Sequence, residues 1–465
     1  MLTPDQATDL FDRLRQHCKC DELEVMIGGG AFALTRFANN GITQNVAEEN
    51  YSLSVRVNLD GRTARATTNK TDDESLKRVV AQAEALARVQ HPDADMLPIP
   101  TPREVELAAG NVPEDAPGRY FEATAGITAG ERAAEVERMV AAGKKRGFTA
   151  AGTYATGVQV EGLFNSHGVM QWHRQSSAEA SITMIGGNSS GWQKANSPNA
   201  ADFDAGELAE IAAEKARLSA DPKEIPAGKY TVILEPAAVL DLVGFMFWDF
   251  SGLALLDQRS FLNNRMGTQL FGEEISITDD AYHPLQSGLT FDGEGMRRRQ
   301  VKLVENGVPK NVVYARASAE LMAKSESATK VGRVEVTGHG FAVPNEMGEA
   351  PMNVVFGAPK NPKTVNEMIN STERGILVTR LWYIREVEPY EKILTGMTRD
   401  GTFLVENGKV KHGVRNFRFN EGLIHLLTNV EAMSNPVRAS GEESFDMVVP
   451  AMKVREFNFT EVTRF

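Results

Sequence analysis

The chain has 465 residues, 42% of them hydrophobic and 24% charged, with a formal net charge of −12 and a pI near 5.4. That length suits two or three domains with ample core, and the composition excludes wholesale disorder. The acidic balance argues against a duplex-binding protein, which needs a basic face to displace counterions.

At the N-terminus "TPDQ" sets Thr3 at an N-cap, Pro4 at the first helical position and Gln6 at the third, a capping box. Ala7, Leu10, Phe11 and Leu14 then recur at helical spacing. This is not a signal peptide, and the apolar runs are far too short to span a membrane, so a soluble cytoplasmic protein is expected. The only cysteines, Cys18 and Cys20, exclude a disulfide framework and fit a reducing compartment. Such a pair could bind metal or be redox-active, but it reads as the frayed end of the first helix.

Gly28–Gly30 follows a strand over 23–28 and reads as a turn; it lacks the spacing of a phosphate-binding loop. Residues 52–59, "SLSVRVNL", alternate strictly, with Leu53, Val55, Val57 and Leu59 on one face. Asp60-Gly61 makes a hairpin turn into "RTARAT". Thr71 and Glu74 form a second capping box, ahead of a helix with Leu76, Val79, Val80, Ala83, Leu86 and Ala87 on its buried stripe. Residues 91–119 hold six prolines and read as a linker or surface excursion. Thr128 and Glu131 cap a further helix, ending at Gly147.

The first block is then echoed about 127 residues downstream. "FANNGITQ" (Phe37 to Gln44) matches "FNSHGVMQ" (Phe164 to Gln171), and "SLSVRV" matches "EASITM". The offset exceeds solenoid periods, so the expectation is one duplicated, strand-rich α+β unit. From Lys229 "KYTVILEP" reads as a strand entering an apolar helical run over 243–267. Beyond Asn263 the chain turns strand-rich, with Glu-Asn-Gly hairpins at 305–307 and 406–408 and a late helix from Asn420. The expected fold class is α+β, with antiparallel sheets in a C-terminal domain. The expected boundaries are 1–105, 106–225 and 226–465.

Catalytic equipment is hard to assemble from these residues. No histidine is followed by glutamate or paired with another at i, i+4. His167, His173 and His339 are the histidines weighed for a zinc site, His339 in the flexible loop "TGHGF". Asp279-Asp280 reads as a solvated turn and Arg297–Arg299 as a solvated strand edge.

Five segments carry a family resemblance: "SFLNNRMG" (260–267), "ISITDD" (275–280), "FDGEGMRRRQVKLVENGV" (291–308), "GMTRDGTFLVENGKV" (396–410) and "VRNFRFNEGLIHLLTNVEAM" (414–433). With "TRFANNGITQ" and the strands after it, they resemble the TldD/PmbA proteins over nearly the whole chain. The resemblance implies a cytosolic peptidase system with two kinds of subunit. TldD-like subunits carry HExxxH on a C-terminal-domain helix, with a cysteine near the C-terminus completing the zinc site. TldE (PmbA)-like subunits share the fold, lack those ligands, and pair with a TldD-like chain around an enclosed cleft for unfolded or extended peptides.

Counted back without gaps from "SFLNNRMG", the HExxxH positions fall near Val243, Gly244 and Trp248. Residues 174–282 contain no histidine, and "GEESFDMVVPAM" contains no cysteine. The resemblance thus points to the TldE-like branch. It implies no catalytic or metal residue and no cofactor in this chain, with zinc in a TldD-like partner and a heterodimer, or a homodimer, as the assembly. A stand-alone metallopeptidase with unorthodox ligands and a peptide-binding homo-oligomer without cleavage are the alternatives. Candidates for lining or gating a cleft are Trp248, Asp249, Arg399, Asp400 and His339, with packing and hairpin formation as competing reasons for each. No nucleic-acid or membrane partner is expected.

Overall fold

The computed structural model describes residues 2–113 and 115–463. Its first half runs α1 (Pro4–His17), β1 (Glu22–Ala38), β2 (Gly41–Leu59), β3 (Arg62–Thr68), α2 (Asp73–Val89), α3 (Pro102–Ala109), α4 (Glu122–Ala125), α5 (Ala129–Lys145), β4 (Thr149–Asn165), β5 (Met170–Ile185), β6 (Ser190–Ser197) and α6 (Ala205–Leu218). The two repeats share one antiparallel sheet in the order β3-β2-β1-β4-β5-β6, with β1 against β4 at its centre. Helix–hairpin–strand–helix in the first repeat is matched by the same order in the second, so the sheet has an approximate two-fold.

Each repeat buries its apolar strand face under its own helices. Val25, Ile27, Leu53, Val55 and Val57 pack with Leu10, Leu14, Leu76, Val79 and Val80. Ala180, Ile182 and Met184 pack with Val136, Met139, Ala209 and Ala213. The capping boxes at Thr3 and Thr128 form as expected, each worth about 1 kcal/mol. Before α2 the cap is Asp72, not Thr71; its carboxylate accepts from the Ser75 amide.

Other expectations change as well. α3, with its own capping box at Thr101, occupies the proline-rich stretch. Gly28–Gly30 is not a turn but lies within β1; at Gly30 a Cβ would sit 1.9 Å from the Val158 carbonyl of β4, so close strand approach, not chain reversal, explains the glycine. Helix α1 stops at His17, and Cys18 and Cys20 lie beyond it, joined to each other as a disulfide and packed on the first core. Apolar run 243–267 is not one helix.

The second half continues with β7 (Gly228–Leu234), α7 (Pro236–Val243), a 3-10 turn (Gly244–Asp249), α8 (Gly252–Leu256), β8 (Ile277–Asp279), β9 (Val301–Glu305), β10 (Val308–Pro309), α9 (Arg316–Lys324), β11 (Val354–Phe356), α10 (Val365–Asn370), β12 (Arg374–Glu388), β13 (Ile393–Glu406), β14 (Lys409–Gly413), β15 (Phe417–Gly422), α11 (Leu423–Thr428), β16 (Val430–Met433), β17 (Val437–Ala439), β18 (Met447–Val449) and β19 (Met452–Val462). Strands β12-β7-β19-β15-β13 form a closed ring, because β12 also pairs with β13. Inside stand Val232, Leu234, Ile376, Val378, Phe417, Phe419, Phe457 and Phe459. Ile233, Leu377, Phe403 and Val405 point outward into a smaller cluster with Met368 of α10, so both faces of that wall are buried. Short strands β10-β9-β8-β11-β18-β17 make the third sheet. The late helix begins at Leu423 and not Asn420, since Asn420 is still paired with Thr395 of β13.

The Asp279-Asp280 segment is not a solvated turn. Asp279 is wholly buried, accepts from the Asn353 amide at 2.8 Å and lies 2.8 Å from His339 Nε2. Burial alone would raise its pKa, but the charge and hydrogen bond of His339, with Arg298 nearby, hold it below the usual carboxylate range. Arg298 is likewise buried, so the arginine run is no solvated edge.

Candidate functional site

The first sheet, the strand ring and α7 meet at the loop between β17 and β18, residues 440–446. Asp241 of α7 is buried under this loop, and its Oδ1 accepts from the amides of Glu442 and Glu443 at 3.1 and 3.0 Å. Burial, reinforced by the charges of Glu443 and Glu442, pushes Asp241 up to about 7 against the opposing backbone bonds. Gly441 is needed here, because a Cβ would lie 2.1 Å from Asp241 Oδ1. One turn on, a Cβ at Gly244 would lie 1.9 Å from Ser444 Oγ. The loop is therefore seated directly on the end of α7.

The ring holds the loop from a second side. Arg380 of β12 forks onto Asp400, with Nε 3.0 Å from Oδ2, and reaches Glu442 at 3.8 Å. Asp400 (φ 50) and Gly401 (φ 136) sit where the β12–β13 register shifts, and this bulge presents the carboxylate to Arg380. Arg380 lies over Trp192 at 4.6 Å and near Trp382 at 5.9 Å, while Arg399 covers Trp382 at 4.6 Å. Glu443 accepts from the Tyr383 amide at 2.6 Å. β6 supplies the third side: Lys194 donates to the Gly441 carbonyl, and Asn196 to Asp446 at 2.6 Å. Beside Asp400 a cavity of about 770 Å³ opens between the β5–β6 turn (Gly186, Asn188, Ser189) and Thr402 and Asn416.

The expected site residues fall in three places. Arg399 and Asp400 belong to this junction. Val243 is buried core, Gly244 lies under Ser444, and Trp248 is 46% exposed with its ring 5.9 Å from that of Phe341. Asp249 lines no open cleft: it is buried, 2.5 Å from Lys392 Nζ, and accepts from the Phe261 amide, with its pKa raised by burial against the lysine's pull. His339 is also no cleft residue; its buried pairing with Asp279 fixes it in the core. His167 and His173 have separate partners, Ile99 and Glu22 for one and Gln175 for the other. Sequence reasoning missed Trp192, Arg380, Asp241 and the Glu442–Ser444 run. The available signal was "RLWYIR", which interleaves arginines with aromatics on a strand leaving the core.

Zinc does not fit the residues at the three positions reached by counting back from "SFLNNRMG". Valine and glycine offer no lone pair, and a tryptophan N–H only donates. Asp241, buried beneath the loop, is committed through one oxygen to two backbone amides, and Ser444 fills the space over Gly244. Among the described residues there is no cluster of three or more His, Cys, Asp or Glu able to hold a metal. Nor, among the described residues, is any helix long and apolar enough to cross a membrane.

Comparison with known proteins agrees with this architecture. Residues 24–87, 123–220 and 227–461 match, in turn, domain 1, the central domain and the C-terminal domain of the PmbA/TldA metallopeptidases. An uncharacterised protein of Methanocaldococcus jannaschii is 34% identical over 155 residues, which are 33% of this chain and 36% of that relative, so the match spans about a third of its length. The metalloprotease PmbA homolog of Haemophilus influenzae is 23% identical over 460 residues, covering 93% of this chain and 94% of the relative. The crystal structure of TldE from Thermococcus kodakarensis superposes with a TM-score of 0.83 at 20% identity, over 98% of this chain and 99% of that one. Matched in all three domains in order, the chain belongs to the PmbA/TldD metallopeptidase family.

Proposed function

We propose that this chain is a non-catalytic, TldE/PmbA-like subunit of a cytoplasmic TldD/TldE-type metallopeptidase, and that it pairs with a zinc-bearing TldD-like chain to act on unfolded or extended peptides. The observation that carries the reading is the packing at the end of α7. Where the register counted from "SFLNNRMG" puts the first glutamate of HExxxH, the chain has Gly244 with Ser444 seated on it. Activating water at neutral pH requires a metal or a base in that position, and the space is taken by a hydroxyl and by amides bound to Asp241. What this chain supplies is a wall: a loop clamped by Asp241, Arg380, Lys194 and Asn196, next to a cavity open to the outside.

The test is purification of the tagged chain from its native host, with metal analysis of what accompanies it, followed by reconstitution. The chain alone leaves casein uncut, and mixing it with an HExxxH-bearing family member yields chelator-sensitive cleavage. Stoichiometric zinc in the isolated chain with cleavage of casein, or recovery of no HExxxH-bearing partner, overturns the proposal.

A further inference from the structure

Cys18 and Cys20 are the whole thiol complement of the 465 residues, and peptide handling gives their bond no role. The disulfide closes a ring across a single residue, Lys19. So short a loop removes little freedom from the unfolded chain, which makes stabilisation a weak reason for the bond.

The turn that carries the pair is held by contacts in which sulfur takes no part. The Cys18 amide donates to the Arg15 carbonyl at the end of α1, at 3.2 Å. The Lys19 amide donates to Glu84 Oε1 of α2 at 2.6 Å, and the Asp21 amide to the Asn58 carbonyl of β2 at 3.0 Å. Glu84 is buried, so the middle of the turn is anchored in the packing of the first repeat. Three consecutive elements thus fix the turn, and the two Cα atoms stand 5.5 Å apart, inside the range a disulfide requires. Thiols in this turn therefore stay within bonding range after reduction. Both side chains are half-buried on the first core and Lys19 between them is exposed, so a small thiol reaches the bond.

We infer that Cys18 and Cys20 form a thiol–disulfide exchange site, opened by a small monothiol of the glutathione type and closed by its disulfide, while the fold stays as it is. This rests on the cytoplasmic setting proposed above, where lasting disulfides are rare and those that form are usually redox-active. In the opening direction a glutathione thiolate attacks one sulfur of the pair, forming a mixed disulfide and expelling the other cysteine as a thiolate. A second glutathione thiolate attacks the glutathione sulfur of that mixed disulfide, releasing oxidised glutathione and the remaining cysteine thiolate. Two electrons pass from two glutathione molecules to the pair, and the two protons shed by those molecules go to Cys18 and Cys20. Closing runs the same steps in reverse. The neighbouring thiol, already in place, then displaces glutathione faster than a second molecule arrives.

The folded, purified chain is equilibrated with mixtures of reduced and oxidised glutathione, quenched in acid, alkylated with a maleimide and weighed by mass spectrometry. Because the chain has no other cysteine, the count of alkylated thiols reads this pair alone. The count is expected to pass from none to two and back as the mixture changes, with circular dichroism unaltered and little shift in the unfolding midpoint. In Cys20→Ser the glutathione adduct on Cys18 accumulates to roughly tenfold or more its wild-type level, since no second thiol displaces it. A pair that stays joined in reduced glutathione until the chain is denatured is a structural disulfide and overturns the inference. So does a reduced chain that fails to close in oxidised glutathione, or that takes one glutathione on each cysteine. A midpoint that collapses on reduction overturns it too, by showing that the bond itself holds the turn. Failure to recover a zinc-bearing partner strikes the subunit reading and leaves this chemistry, measured on the isolated chain, unaffected.

Discussion

Asp241 is buried at the centre of the junction with one oxygen bound to two amides and the other without a hydrogen-bond partner among the described residues. Its pKa of about 7, against an ordinary carboxyl value of 3.8, makes the folded state favour the protonated form. The sign follows from linkage: the unfolded chain ionises this group from about pH 4 upward while the folded chain does not, so stability falls as pH rises from about 4 to about 7. At roughly 1.4 kcal/mol per unit, the loss by pH 8 is at most about 4 kcal/mol. Asp241→Asn keeps an acceptor for the Glu442 and Glu443 amides and cannot ionise. The variant is expected to unfold at higher temperature than wild type at pH 8, with the gap closing toward pH 4. A wild-type-minus-variant difference that is flat across that range would refute this account of Asp241. Nothing in "VLDLV" announces such a group, because an acid within an apolar stripe looks the same on a solvated helix as beneath a loop from 200 residues away. The buried pair Asp279–His339 was hidden for the same reason: the two residues lie 60 positions apart, and each stands in a segment of polar or glycine-rich character.

What strands and helices reveal of themselves in advance depends on whether their burial is periodic. Leu53, Val55 and Val57 alternate because one face of β2 lies on α2, and the pattern was readable. The capping boxes at Thr3 and Thr128 were readable because the signal is local. The glycines of β1 were not. Three in a row suggest a turn, and only the partner strand shows why they stay extended: at Gly30 the Val158 carbonyl occupies the place of a side chain, and the backbone has φ 152. Gly30→Ala is accordingly expected to weaken the central β1–β4 pairing by about 2–4 kcal/mol, the range of backbone strain and overpacking combined. Gly41→Ala, where nothing lies within 4 Å of the added carbon, is expected to change stability by no more than about 0.5 kcal/mol. Chemical denaturation of both variants decides; equal, small effects would mean that β1 and β4 yield freely at this crossing. The run over 243–267 misleads for a related reason. Hydrophobicity shows that it is buried, but its division into α7, a 3-10 turn and α8 is set by tertiary packing, in which Gly252 meets the Tyr314 ring and Gly244 meets Ser444.

Across the whole molecule the two halves are joined through polar groups that the alternating pattern assigns to the face away from the first core. Arg56 and Asn58, on the polar side of β2, are 4% and 2% exposed, Arg56 beside Glu24 and Asn58 donating to Glu22 at 2.6 Å. Glu24 is wholly buried between Arg65, at 2.6 Å, and Arg56, at 3.5 Å. Arg65 also donates to the Val343 carbonyl through Nε and Nη2 at 3.0 and 2.8 Å, so one side chain pairs with a buried acid in the first repeat and holds a loop of the second half. Nearby Glu294 is pushed up to about 7 by burial and by the charge of Asp292, with Arg316 reaching from α9 to the Pro98 carbonyl. Breaking a buried pair by removing one partner typically costs about 3–5 kcal/mol, because the other charge stays desolvated. Arg65→Ala is therefore expected to lower stability by that amount and to uncouple the halves. Calorimetry would show the main transition falling and dividing in two, with proteolysis entering near residues 341–347 first. Arg65→Lys, which keeps the charge but not the fork, should fall between wild type and alanine. A single transition at the wild-type midpoint for Arg65→Ala would mean that apolar contacts such as Leu163 and Val169 with Phe291 and Met296 hold the halves together unaided.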